Sequence, residues 1–267
     1  MQPATSKEKA PLESVTEERD RLASAHQDLA ARLRETEAAL ARRDHEAREI
    51  AEEARQFAYS ASHDLQEPLR SVTSYAQLLE RTVPSDSEAA EFARYIVEGT
   101  ARMNCLIRDL LSYSRLNDSP RLAAVSLEGI AQGAALFLQA DLQKAGATLT
   151  MDALPEVVGD ESQLSQLLVE LLRNAIKFRS GRPLEIRICS KEENGVHLIS
   201  LCDNGQGIDA KYQEQIFGVF KRLHGRDVPG TGIGLALCRK IIKGHGGRIW
   251  VESDGSSGST FHFTLPA

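Results

Sequence analysis

The chain has 267 residues, enough for roughly one to three domains with a sizeable core. It is 42% apolar and 26% charged with a net charge of −6, which is the balance of an ordinary globular protein and not of a basic nucleic-acid binder. No apolar run approaches the roughly 20 residues that span a bilayer, and the opening MQPATSKEKAPLESV lacks the apolar centre of a signal peptide.

Residues 1–11 are polar, carry Pro3 and Pro11, and are expected to form a disordered tail. From Leu12 to Glu67 there is no glycine and no proline, and the run is dense in Ala, Glu, Arg and Leu, so a long helix is predicted. A heptad fits the part covering 12–52. One seam position holds Leu12, Arg19, His26, Leu33, Leu40 and Ala47; the other holds Val15, Leu22, Leu29, Thr36, Arg43 and Ile50, and continues to Phe57. Its apolar members support a parallel coiled coil, while Arg19, His26, Thr36 and Arg43 weaken the seam, and a solvated single helix is the alternative.

The helical pattern continues through SASHDLQEPL. Ala58, Ala61, Leu65, Leu69, Val72, Ala76 and Leu79 step by three or four and form one apolar stripe. His63 lies about 200° round the helix from both Ala61 and Leu65, so it points to the wet side beside Asp64. Pro68 removes a backbone donor and is expected to bend the helix just past His63. Pro84 ends the segment, Ser85 or Asp86 can cap the next helix, and that helix should reach about Leu116 with Phe92, Ile96, Met103, Leu106, Ile107 and Leu110 on its apolar side. Two such helices bury little alone. Residues 53–118 therefore read as an all-α hairpin that a second copy completes into a four-helix bundle, so a homodimer is expected.

NDSPRLAAVSL reads as a linker, and 125–267 as a separate α/β layered domain. ATLTMDA, LEIRICS, VHLISLCD, GRIWVESD and STFHFTL read as strands, with a turn at 193–195; 160–178 and 233–245 read as helices. The four cysteines, Cys105, Cys189, Cys202 and Cys238, are widely spaced with no C-x-x-C pair, which suits structural thiols in a reducing cytoplasm.

Three motifs in this second half carry chemistry. On the 160–178 helix Glu170, Asn174 and Lys177 share one side, next to the leucine stripe. An acid, an amide oxygen and an ammonium suit Mg²⁺ and phosphate, although such a trio also makes an ordinary solvated face. In CDNGQGI, Asp203 ends a strand and Gly205 and Gly207 allow a tight turn; a carboxylate there can accept from an exocyclic base amine. In GTGIGLAL, Gly230, Gly232 and Gly234, with Thr231 among them, open a helix whose free N–H groups suit phosphate. The preceding FGVFKRLHGRDVPG reads as a basic lid, anchored by Phe217 and Phe220, with Lys221, Arg222 and Arg226 as phosphate contacts; plain surface charge is the alternative.

In this order SHDLQEPL, ELLRNAIKF, DNGQGI, IFGVFKRLHG and GTGIGLAL closely resemble the phosphoacceptor, asparagine, first glycine, phenylalanine and second glycine boxes of bacterial sensor histidine kinases, in a style similar to phytochrome-like and PAS-coupled members. The resemblance covers about 50–267. It implies a helical-hairpin dimerisation domain followed by an α/β sandwich of the Bergerat (GHKL) ATP-binding type. It implies ATP and Mg²⁺, with His63 as the phosphoryl acceptor and Asp64 holding its tautomer and taking its proton. Asn174 would bind Mg²⁺ with Glu170 beside it as ligand or base, Lys177 would contact phosphate, and Asp203 the adenine amine. The glycines, Phe220, Arg222 and Thr231 would shape the nucleotide pocket, with Thr260 supporting the adenine network. A response regulator receiver domain would accept the phosphoryl group, docking near Leu69, Thr73 and Gln77, and an upstream sensor would act through the coiled coil. Glu67 stands where many relatives with phosphatase activity carry Thr or Asn, so phosphatase activity is not implied. Two rival readings remain open here: a nucleotide-binding scaffold without kinase activity, and a Bergerat-type serine kinase.

Overall fold

The computed structural model describes residues 9–116, 120–193, 195–223 and 230–267; residues 1–8 of the expected tail, 117–119 of the linker and Asn194 of the turn lie outside it. The chain divides into two units, Met1–Phe57 and Ala58–Ala267. Helix α1, Lys9–Thr82, begins in the first. There it leaves the seam residues Leu29, Leu33, Leu40 and Ile50 exposed.

In the second unit α1 runs through Pro68 without interruption. The missing N–H leaves the Asp64 carbonyl without its usual intrahelical partner. A turn leads into α2, Glu88–Arg115. The cap is Ser87, not Ser85 or Asp86: its N–H donates to the Pro84 carbonyl, which closes the turn and puts the Ser87 hydroxyl under the Ala90 N–H at 3.2 Å. The buried residues of the hairpin are mostly small, namely Ser62, Ala76, Ala90, Ala93 and Thr100, with Ile107 the large exception. Most of the expected apolar stripe stays outside. Leu65, Val72, Leu79, Phe92, Ile96, Met103 and Leu106 are exposed, and an apolar groove runs between Leu65, Pro68, Leu69 and Val72 of α1 and Met103, Leu106 and Ile107 of α2.

The rest is a two-layer α/β domain. Strands β1 (Ala123–Ser126) and β3 (Glu156–Gly159) pair antiparallel as a small ribbon. The main sheet has the order β2-β4-β5-β7-β6, from Thr148–Met151, Glu185–Glu193, Val196–Asp203, Ser259–Pro266 and Ile249–Glu252; β2 and β4 are parallel, the other pairs antiparallel. Helices α3 (Leu127–Phe137), α4 (Gln139–Lys144), α5 (Glu161–Lys177) and α6 (Gly234–Gly244) complete it. Leu164, Leu167, Leu168, Leu171 and Leu172 of α5 are 0% exposed, in one core with Ile186, Ile188, Ile199, Leu201, Ile241 and Phe263. Each such side chain contributes about 1.5–3 kcal/mol by leaving water. All four cysteines are free, and Cys238 is buried in this core.

One buried imidazole ties the layers. His245 at the end of α6 donates from Nδ1 to the Ile241 carbonyl at 2.8 Å, and its Nε2 accepts the Asp160 N–H at 2.9 Å. Asp160 is the cap of α5, accepting from the Gln163 N–H at 3.1 Å. Replacing His245 by Ala leaves that N–H unpaired beside a void, so His245→Ala is expected to lower the unfolding free energy by about 2–4 kcal/mol. Urea denaturation checks this; a loss below about 0.5 kcal/mol would contradict it.

Candidate active site

Because α5 buries its leucine face, Glu170, Asn174 and Lys177 emerge together on the side next to it. β5 ends at Asp203, and β7 runs beside it with Asp203 opposite Ser259. A cavity opens between these elements. Apolar side chains line it, Phe178, Ile208, Ile216, Leu235 and Phe261 among them, together with Asn174, Asp203, Gln206, Gly207, Gly232 and Ser259 and the cations Lys177, Lys221 and Arg222. Such walls suit a flat heterocycle carrying an amine and an anionic tail.

The Asp203 carboxylate accepts the Gly205 N–H at 2.9 Å. Burial pushes its carboxyl above the ordinary value, and the backbone N–H groups of Gly205 and Ser259 oppose that rise. Burial also pushes Glu170 up; Arg173, bonded to it at 3.1 Å, opposes this, and the charge of Asp109 adds to it. Lys177 is pushed down, first by burial and then by Arg222. Two glycines are needed because these side chains come so close. A Cβ on Gly234 would meet the Glu170 carboxylate at 2.6 Å, and one on Gly230, at φ 147°, would run into the Lys177 ammonium. Glu170 and Gly234 line a second cleft together with Asp109 and Ser112 of α2.

The Asn174 side-chain nitrogen is buried and has no hydrogen-bond partner. An amide left unpaired beside two charged groups is a donor set that fits a metal–phosphate group, with its oxygen or its N–H₂ turned to the ligand. On α1, His63 and Asp64 are both open to solvent, with Nδ1 3.3 Å from the carboxylate and side chains 73% and 75% exposed. They line neither cleft.

Three expected contacts fall elsewhere. Phe220 is 56% exposed and does not line the cavity; its left-handed backbone, φ 61°, turns the ring outward, whereas Phe217 is buried edge-on against Phe261. The Thr231 hydroxyl donates to Asp109 of α2 at 2.5 Å instead of facing the cavity. Thr260 lies on the opposite sheet face from Ser259 and Phe261, which alternate with it along β7 and do line the cavity. Sequence reasoning missed the polar lining residues Ser259 and Gln206 and the apolar walls, Phe178, Ile208, Ile216, Leu235 and Phe261. Arg226 lies outside the described residues.

Residues 53–119 match the family model described as His Kinase A (phospho-acceptor) domain, and 159–267 that of the histidine kinase-, DNA gyrase B-, and HSP90-like ATPase. The chain is a transmitter module of the sensor histidine kinase family. Cyanobacterial phytochrome A of Nostoc sp. is 45% identical over 80% of the chain, which spans 28% of that relative's length. The transmitter fold superimposes on full-length ShkA, solved with AMPPNP, with a TM-score of 0.61 and 25% identity, over 79% of this chain and 45% of ShkA. The histidine kinase ThkA, solved in complex with the response regulator TrrA, shares the fold at a TM-score of 0.55 and 21% identity, over 79% of this chain and 61% of that one.

Proposed function

We propose that this transmitter takes the γ-phosphoryl group of ATP onto His63 and passes it to an aspartate of a response regulator. The observation that carries the reading is the cavity in which Asp203, an unpartnered Asn174 amide and three cations converge among apolar walls, in a chain whose helical hairpin presents a solvent-open His63–Asp64 pair.

Asp203 would accept from the adenine amine, held in place by the Gly205 and Ser259 N–H groups, with Phe178, Ile208 and Phe261 against the base. Lys177, Lys221 and Arg222 would hold the phosphates. Asn174 and Glu170 would hold Mg²⁺, which when bound supplies neutralising charge to the phosphate oxygens. His63 Nδ1–H donates to Asp64, which leaves the Nε2 lone pair free to attack. The bond from Nε2 to the γ-phosphorus forms as the bond from that phosphorus to the bridging oxygen breaks, and ADP leaves with the electron pair. The Nδ1 proton passes to Asp64 and on to water. In the second step the phosphorus–nitrogen bond breaks as a carboxylate oxygen of the regulator bonds to phosphorus; the imidazole keeps the electron pair at Nε2 and regains its Nδ1 proton from water by way of Asp64.

The exposed apolar strip of the hairpin supports a homodimer with a four-helix core, and the exposed Leu29–Ile50 seam supports a coiled coil that relays input from a sensor. Among the described residues no helix is long and apolar enough to cross a membrane. The free cysteines support a reducing, cytoplasmic setting.

Incubation with γ-labelled ATP and Mg²⁺ tests the reading. Wild type is expected to gain label that survives alkali and is lost in acid, while His63→Gln and Asn174→Asp gain none; label that stays on His63→Gln would overturn it. A second outcome follows from Asp203. Its raised pKa means that acidification neutralises it sooner than a free aspartate, whose value is about 3.9. ADP affinity, followed by calorimetry from about pH 8 down to about pH 5, is expected to weaken toward the acid end. Asp203→Asn should bind at least about tenfold more weakly at neutral pH with a flatter profile. Parallel profiles for the two proteins would contradict this role.

A further inference from the structure

The last turns of α2 are docked on the catalytic layer along one stripe. Asp109, Tyr113 and Leu116 follow at i, i+4 and i+7. Leu116 is 7% exposed within the domain core. The Tyr113 carbonyl accepts from Lys240 Nζ at 3.2 Å, and the same ammonium lies 5.1 Å from the Tyr113 ring centre. Asp109 accepts the Thr231 hydroxyl at 2.5 Å, and that hydroxyl in turn accepts the Ile233 N–H at 3.3 Å. The side chain between Gly230 and Gly232 is thus tied to the hairpin, at the loop that opens α6.

The height of this contact matters. The Arg115 guanidinium lies 4.9 Å from the Tyr59 ring. Counting about 1.5 Å per residue along the antiparallel pair, Asp109 lies within about a turn of the level of His63. The phosphate end of the site is therefore held at the right height on the wrong helix. His63 itself is 73% exposed and bonded to Asp64, and a ring that open is not seated against a phosphoryl donor. Charge works against the contact once the site fills. The α6 N-terminus favours an anion, Asp109 already acts electrostatically on Glu170, and a polyphosphate placed there adds like charge beside both carboxylates.

We propose that the Asp109–Thr231 hydrogen bond is a latch that parks the catalytic layer on α2, and that the polyphosphate of ATP weakens it so that the layer can move to His63. The proposal rests on the kinase reading, and two measurements separate their fates. Hydrogen exchange of the 109–116 backbone reports the latch without any chemistry. Exchange there is expected to be slow in the free protein, and faster with Mg²⁺ and AMPPNP. It should be faster without nucleotide in Thr231→Val and Asp109→Ala. The initial rate of acid-labile labelling from γ-labelled ATP should rise about three- to tenfold in each variant. The double variant should do no more than the stronger single one, since both remove one bond, and Asp109→Asn, which keeps an acceptor, should do less. Unchanged exchange in both variants overturns the latch. So does slower labelling at undiminished AMPPNP affinity, which would make the contact one that positions the layer for transfer. If exchange responds as described but no protein labels, the latch stands and the kinase reading falls.

Discussion

Everything in the catalytic layer depends on the burial of one face of α5. Five leucines of this helix are wholly out of water, and no rotation of the helix can be made without exposing them. At about 1.5–3 kcal/mol each they hold its orientation far more firmly than any polar contact does. That orientation aims Glu170, Asn174 and Lys177 toward Asp203 on β5 and toward the glycines that open α6. The polar residues therefore contribute little to holding the fold and are free to carry strain: Glu170 is pushed up by burial, Lys177 is pushed down, and the Asn174 amide lacks a partner. These are the costs expected where a site is organised in advance for a ligand that restores the missing charges and hydrogen bonds.

The hairpin divides its labour by face. Small side chains, Ala76, Ala90 and Ala93, let α1 and α2 approach each other. Large ones, such as Val72, Phe92 and Met103, stay outside. A third stripe on α2, Asp109, Tyr113 and Leu116, meets the catalytic layer. One helix thus packs against α1 on one face and against the α/β domain on another. The His63 side of α1 is left open to solvent.

Much of this was legible in the sequence, because strong periodicity and spaced glycines report directly on burial and close approach. The two helices of the hairpin, α5, α6 and the five strands of the main sheet follow from such patterns, as do Asp203, Asn174 and the glycine loops. Short or weakly periodic pieces were not legible. α3 carries Gly129 and Gly133, which blunt a helical signal; β1 and β3 have four residues each and are defined by their pairing. Ser259 and Thr260 cannot be told apart by type, and only strand phase puts Ser259 in the cavity. Ser87 wins the cap over its neighbours through the Pro84 turn. Thr231 looks like part of a phosphate loop, and nothing local reveals that a residue 122 positions away accepts its hydrogen bond.

The sharpest measurement is the stability of Asn174→Ala beside its nucleotide binding. A buried amide nitrogen without a partner is a cost to the empty fold, so urea unfolding of the variant should show no loss of stability beyond about 0.5 kcal/mol. Its affinity for ATP in the presence of Mg²⁺ should fall at least about tenfold. A variant that loses about 2 kcal/mol of stability and still binds nucleotide normally would show that Asn174 serves the fold, and that its side of α5 is not the site.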